Sequence, residues 1–168
     1  MKLRSIIVTI GLLCSIHFVS VFDGLAETSA NKVLIEKKAR RLTLLRDGVV
    51  LRTYGIALGD YPVGPKRCQG DGRTPEGTYV IDSRNQNSHY HRSLHISYPN
   101  ASDQRAAKGA KCNPGGDIFI HGLPNGQGWI GKAHMLHDWT LGCIAVTDEE
   151  IEEIWRMVPN QTLVEIKP

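Results

Sequence analysis

The sequence predicts a mostly β domain, a sandwich or mixed-sheet arrangement with one principal helix near the C-terminus. Two observations carry this. Short runs that alternate apolar and charged residues recur from Lys32 onward, separated by Gly, Asp and Pro turn signals. One stretch, starting at Thr147, combines a cap with apolar residues at helical spacing. With 168 residues, 41% hydrophobic and 22% charged, the chain suits one globular domain with a real core.

Residues 1–26 read as a secretory signal to be left out of the fold, with the domain occupying 27–168. Lys2 and Arg4 give a basic start, 5–21 are mostly apolar, and Gly24-Leu25-Ala26 offers small residues for cleavage before Glu27. The apolar run is short for a spanning helix and contains Ser15 and His17, so cleavage is expected over a permanent anchor. Lipidation at Cys14 would want a small residue before it, and Leu13 stands there.

Strands are expected at 32–37 and 41–46, with Asp47-Gly48 as a tight turn into a third at 49–58. Residues 59–77, rich in Gly, Pro and charge, form a long loop ending in Arg73-Thr74-Pro75-Glu76-Gly77. Loops of that length are often functional. Strands follow at 78–83 and 93–98. The polar stretch 101–116 holds one helical turn or none, and 117–121 is a short apolar strand ending in His121. In the principal helix Thr147 caps, Glu150 completes a capping box, and Ile151, Ile154, Trp155 and Val158 share a face until Pro159 stops it. A last strand covers 162–166.

The formal net charge of +3 is too small to argue for nucleic acid. Loss of 1–26 removes Lys2, Arg4 and Asp23, leaving 20 − 2 = 18 basic and 17 − 1 = 16 acidic side chains, a net of +2. It also removes Cys14 and leaves Cys68, Cys112 and Cys143, an odd number for an oxidising compartment. If Cys143 stays free, Cys68 and Cys112 form the pair. The alternative leaves both unpaired, and an α-carbon separation beyond roughly 7 Å would rule the bridge out.

The chemistry concentrates in 117–147. A short strand delivers His121 to Gly122, and a turn on Gly142 presents Cys143 before an apolar run at 144–146. A thiol nucleophile needs a base, donors facing the developing oxyanion and a partly open site. Cys143 supplies the thiol, His121 the base, and the amides of Leu141, Gly142 and Cys143 the donors. Taken alone, one His and one Cys are also what a core cysteine and a satisfied polar histidine look like. A backbone carbonyl is the expected acceptor for the other ring nitrogen of His121, ahead of Asp138, which also reads as a residue that caps or solvates a turn.

The flanking residues go further. Ile120-His121-Gly122, then Thr140-Leu141-Gly142-Cys143-Ile144, with Gly72-Arg73-Thr74-Pro75-Glu76-Gly77 upstream, resemble the signature of the L,D-transpeptidase catalytic domain family, over roughly 33–166. The Asp138-Trp139-Thr140 context resembles its murein L,D-transpeptidase subgroup. Two positions depart from many members: Leu141 stands where a second His is usual, and Ala145 where an Arg is usual. The connection from His121 to Cys143 is also longer, adding Trp129, His134, His137, Asp138 and Trp139.

The resemblance implies an L,D-transpeptidase-type fold and acyl transfer on peptidoglycan stem peptides in cell-wall biogenesis. Cys143 would attack the carbonyl between the diamino acid at stem position three and the following D-alanine, with His121 moving the proton. An amine of another stem would give a cross-link, a protein lysine a wall-attached protein, and water would make the enzyme a hydrolase. No cofactor or metal is implied, and the location would be the periplasm or cell-wall space, without stable membrane insertion once the signal is removed. Gly122, Thr140, Arg73, Arg92 and Trp139 are the candidate substrate contacts. Arg73 and Arg92 also read as solvated or structural charges, and Trp129 and Trp139 as packing residues. Two rivals remain. One is a silent wall-binding module, and the other a metal amidase using His89, His91 and His95, which strand periodicity would place on one face. Their blander reading is a groove edge with separately solvated rings, alongside Tyr90, Arg92 and Tyr98.

Overall fold

The computed structural model describes residues 29–168, so the expected signal at 1–26 lies outside the described residues. Three strands open the domain as an antiparallel meander: β1 (Lys32–Glu36), β2 (Arg41–Arg46) and β3 (Val49–Gly55). Asp47 (φ 52) and Gly48 (φ 82) both take the left-handed conformation that a two-residue hairpin turn of this kind requires. Alternation sets the buried face, with Val33 and Ile35 of β1 and Leu42 and Leu44 of β2 pointing into the core. Strand β3 ends at Gly55 and not at Leu58, because the next residues leave it to bond across the molecule.

The later strands are β4 (Gly77–Ser88), β5 (His91–Ile96), β6 (Phe119–His121), β7 (Ile144–Ala145) and β8 (Leu163–Lys167). They join the meander in one eight-stranded mixed sheet of order β3-β2-β1-β8-β4-β5-β6-β7. β8 runs parallel to β1, and β7 parallel to β6. The sheet curls until its edges meet: Ala57, just past β3, exchanges backbone bonds of 3.0 and 2.9 Å with Ala145 of β7. That closure brings the 56–60 segment against the turn before β7. Among the described residues, no helix is long and apolar enough to cross a membrane.

The helix α2 (Asp148–Met157) forms as its sequence dictates, with Thr147 accepting from the Glu150 amide while Glu150 accepts from the Thr147 amide. Ile151, Ile154, Met157 and Val158 are buried in the core, each contributing about 1.5–3 kcal/mol. Trp155 lies at the edge of that stripe, with the guanidinium groups of Arg84 and Arg92 over its ring at 3.9 and 4.9 Å from the centroid. Thr147→Ala is expected to lower stability by about 1 kcal/mol, read as a shifted midpoint in urea unfolding with an unchanged slope.

The stretch expected to be nearly unstructured holds a nine-residue helix, α1 (Ala101–Gly109), capped by Asn100 with Asp103 returning the bond. Only Ala107 of α1 is buried, so no apolar stripe announced it. Beyond α1, Cys112 is joined to Cys68, with α-carbons 5.7 Å apart, which ties the loop after Gly59 to the approach of β6. Lys37, buried at the end of β1, holds the same loop from the other side by donating to Gly64 O (2.6 Å), Thr74 O (3.0 Å) and Glu76 (2.8 Å).

Candidate active site

Strands β6 and β7 lie side by side in parallel register, Ile120 against Ile144 and His121 against Ala145. His121 is therefore the last residue of one strand, and Cys143 immediately precedes the other. Both line one cleft of about 640 Å³.

The turn carrying Cys143 is clamped by Thr140. Its hydroxyl donates to Cys143 O (2.8 Å) and accepts from the Gly142 amide (3.1 Å). This corrects the expected oxyanion set: the Gly142 N–H is spent inside the turn, and the amides of Leu141 and Cys143 remain as candidates. Gly142 has φ 131, and a side chain there would place its Cβ 2.6 Å from Arg73 O. The loop that closes with Arg73-Thr74-Pro75-Glu76-Gly77 thus supports the turn with its backbone, and Thr74 Oγ1 accepts from the Gly59 amide at 3.3 Å.

His121 is 4% exposed, and its Nδ1 lies 2.7 Å from Gly122 O. A carbonyl only accepts, so Nδ1 carries the proton and Nε2 is the basic nitrogen. Asp138 does not orient this ring: it pairs with Arg40 and accepts from the Leu58 amide. The rings of Tyr90 and Trp139 pack on the imidazole, with centroids 4.5 and 5.9 Å away. Burial lowers the His121 pKa to about 4, and burial pushes the Cys143 thiol up despite a bond from the Phe119 backbone. At neutral pH the site therefore holds a neutral imidazole and a thiol, not an ion pair. Cys143 is the one free cysteine among the described residues, and its Sγ is 3.4 Å from Asp117 O.

A family model described as the L,D-transpeptidase catalytic domain (YkuD) matches residues 30–166. The chain belongs to this family. A protein of Escherichia coli (strain K12) provisionally named L,D-transpeptidase YafK is 32% identical over 114 residues, 65% of this chain and 37% of that protein. The helical cell shape determining protein Pgp2 from Campylobacter jejuni superposes with a TM-score of 0.62 at 25% identity, over 82% of this chain and 48% of Pgp2. An L,D-transpeptidase from Mycobacterium smegmatis shares the fold, with a TM-score of 0.54 at 15% identity over 82% of this chain and 58% of that one. This chain thus spans well under two thirds of these relatives.

Around the His121–Cys143 pair of this L,D-transpeptidase domain, the other expected contacts divide. Thr140, Leu141 and Trp139 line the cleft, Leu141 at its rim with 77% of its surface exposed. Arg92 does not line it. Ser93 takes the cleft side of β5, so its neighbour Arg92 points the other way and pairs with Glu152 of α2 at 2.7 Å. The Arg73 side chain lies in a separate shallow depression with Tyr61, Arg67, Cys68 and Asp71. Gly122 is required by packing, because a Cβ there would meet Asp148 at 2.7 Å. Trp129 is 84% exposed and lies outside the cleft, and Tyr98 is buried, donating to Pro114 O.

The three histidines do not converge. His91 bonds Glu152 at 2.8 Å, His95 bonds Asp82 at 2.5 Å on the other side, and His89 lines the cleft. Among the described residues no group of three His, Cys, Asp or Glu is placed to hold a metal. Tyr90, read in the sequence as part of a groove edge, packs on His121, and Lys66, unassigned in the sequence, also lines the cleft. For Lys66 no signal existed, since a lysine in a Gly-Pro loop normally reads as solvated.

Proposed function

We propose that this protein is a cysteine-dependent acyltransferase acting on peptidoglycan stem peptides, with Cys143 as nucleophile and His121 as general base. The observation that carries it is the placement of the two side chains on neighbouring parallel segments, His121 in β6 and Cys143 just before β7, both lining one cleft, with the His121 tautomer set so that Nε2 is basic. Family membership supplies the substrate class, and likeness to a cell shape determining protein supports a role in the wall. The signal-like segment 1–26 supports action in the periplasm or cell-wall space.

In the reaction, His121 Nε2 takes the thiol proton as the sulfur attacks the carbonyl between the diamino acid and D-alanine. The oxyanion faces the amides of Leu141 and Cys143. The C–N bond breaks, the leaving D-alanine amine takes the proton from His121, and a thioester remains on Cys143. An acceptor amine then attacks, giving its proton to His121 and restoring the thiol. With a second stem the product is a cross-link, and with a protein lysine it is a wall-attached protein. Water in place of the amine would make the same site an L,D-specific hydrolase.

Intact-protein mass spectrometry after incubation with a tetrapeptide muropeptide tests this reading. An added acyl mass on the protein with release of D-alanine supports it, and absence of both overturns it. Product analysis separates transfer, which creates new links, from hydrolysis, which removes existing ones. The low pKa of His121 adds an expectation. A base is inactive once protonated, so activity should persist as pH falls through 6.5 and fail only near pH 4. The acid limb of kcat/KM for D-alanine release measures this, and a limb at 6.5 would contradict a buried neutral base.

A further inference from the structure

The cleft contains a built feature that the acyl-transfer chemistry leaves unused. The Lys66 side chain is only 4% exposed, yet it lines the cleft that holds Cys143 and His121. Its ammonium donates to Asp71 Oδ1 at 2.9 Å and to Cys68 O at 3.2 Å. An ammonium has three N–H groups, and no third acceptor lies in bonding range among the described residues.

Structural need does not explain the lysine. Asp71 is already satisfied by the amides of Arg67 (2.8 Å), Cys68 (3.0 Å) and Arg73 (3.1 Å). The loop is fastened independently by the Cys68–Cys112 bond and by Gln69 N to Asn113 O at 2.7 Å. These ties fix the ammonium in place before any ligand arrives, the preorganisation that binding a charge requires. Among the described residues lining the cleft, Lys66 is the one Lys or Arg. Burial and the neighbouring Asp117 carboxylate hold the Cys143 thiol up, and the Lys66 charge acts on it in the opposite direction more weakly. The strand position two residues after Cys143 is the buried Ala145 and offers no cation.

We propose that Lys66 is the specificity-determining residue of the cleft, receiving a carboxylate of the donor stem peptide on its unpartnered N–H. This rests on the acyl-transfer reading above. A tetrapeptide donor offers a C-terminal carboxylate on the D-alanine that leaves. A diamino acid with a second carboxyl group offers another, of the same chemistry. Either would form a charge-assisted bond in a partly desolvated site.

The test is calorimetric binding to the mature Cys143→Ala protein, in which no turnover occurs. Three ligands are compared: the tetrapeptide, its C-terminal amide, and the peptide amidated on the diamino acid side chain. One of the amides is expected to bind roughly 10-fold or more weakly than the acid, and which one identifies the carboxylate. Adding Lys66→Gln should erase that difference, and Lys66→Arg should keep most of it, with melting temperature checking the fold of each. The acid–amide comparison needs no Lys66 variant, so it stands even where Lys66→Gln fails to fold. Equal binding of all three ligands, or a difference that survives Lys66→Gln, overturns the assignment. If this happens while the unmutated protein still forms its thioester, Lys66 falls and acyl transfer stands. If no thioester forms and no peptide binds, acyl transfer falls and the Lys66 assignment with it.

Discussion

Cys143→Ala is expected to abolish the acyl adduct and to lower D-alanine release on the order of 10⁴-fold or more. The size follows from the absence of a substitute. Cys143 is the one free thiol among the described residues, while Cys68 and Cys112 are consumed by each other. The neutral imidazole of His121 would remain, but a base without a nucleophile can only activate water. The change removes a single sulfur from a half-buried position at the entrance of β7, where the Thr140 clamp holds the backbone through Cys143 O. The fold should therefore survive, and unfolding midpoints should match the parent within about 0.5 kcal/mol. Retained D-alanine release by a folded Cys143→Ala protein would remove the thioester from the mechanism. Its loss on chelation would move the chemistry to a metal, against a structure in which His91 and His95 are each taken by a carboxylate.

How much of this was legible in the chain depends on how local each determinant is. Asp47-Gly48 and Thr147 with Glu150 carry their instructions within four residues, and the turn and the cap form where the sequence expects them. His121-Gly122 and the Thr140 to Cys143 run are local signals too. What the sequence hides is partnership over long separations. The β1–β8 pairing joins residues more than a hundred positions apart. The acceptor for His121 is a backbone carbonyl, as expected, that of Gly122, while Asp138, the other candidate, anchors Arg40 and Leu58 because the curl of the sheet brings 56–60 against the stretch before Cys143. Helix α1 was hidden for another reason: a favourable Asn100 cap was present, but its single buried residue gives no periodic stripe. Arg92 was readable in principle, since alternation along β5 forces Arg92 and Ser93 to opposite faces once either is placed. Lys66 was not, because burial of a lysine is decided by Asp71, Cys68 and the disulfide together.

Gly142→Ala should be strongly disruptive while leaving every polar group of the cleft intact. At φ 131 the backbone of residue 142 is in a region that residues with a Cβ rarely enter, a strain of about 1–3 kcal/mol. The added methyl would also sit 2.6 Å from Arg73 O and 3.3 Å from the Ile118 side chain. Gly59 packs closely on the same loop beside Gly142, whose Cα would lie 3.1 Å from a Cβ on Gly59. There a Cβ on Gly59 would come within 2.1 Å of Gly72 O. Relieving the contact moves the turn against the loop, straining the Thr140 bonds to Gly142 N and Cys143 O and displacing the thiol from the β6 edge. A total cost of about 3 kcal/mol is expected, visible as a lower denaturant midpoint. A displacement near 1 Å should reduce kcat on the order of 10²-fold. Leu141→Ala is the control: its side chain is largely in solvent, so stability should stay within about 0.5 kcal/mol of the parent. Parent-like stability and kcat in Gly142→Ala would mean that the turn is free to adapt. The wedge of Gly59, the loop ending at Gly77 and Gly142 would then not be what positions Cys143.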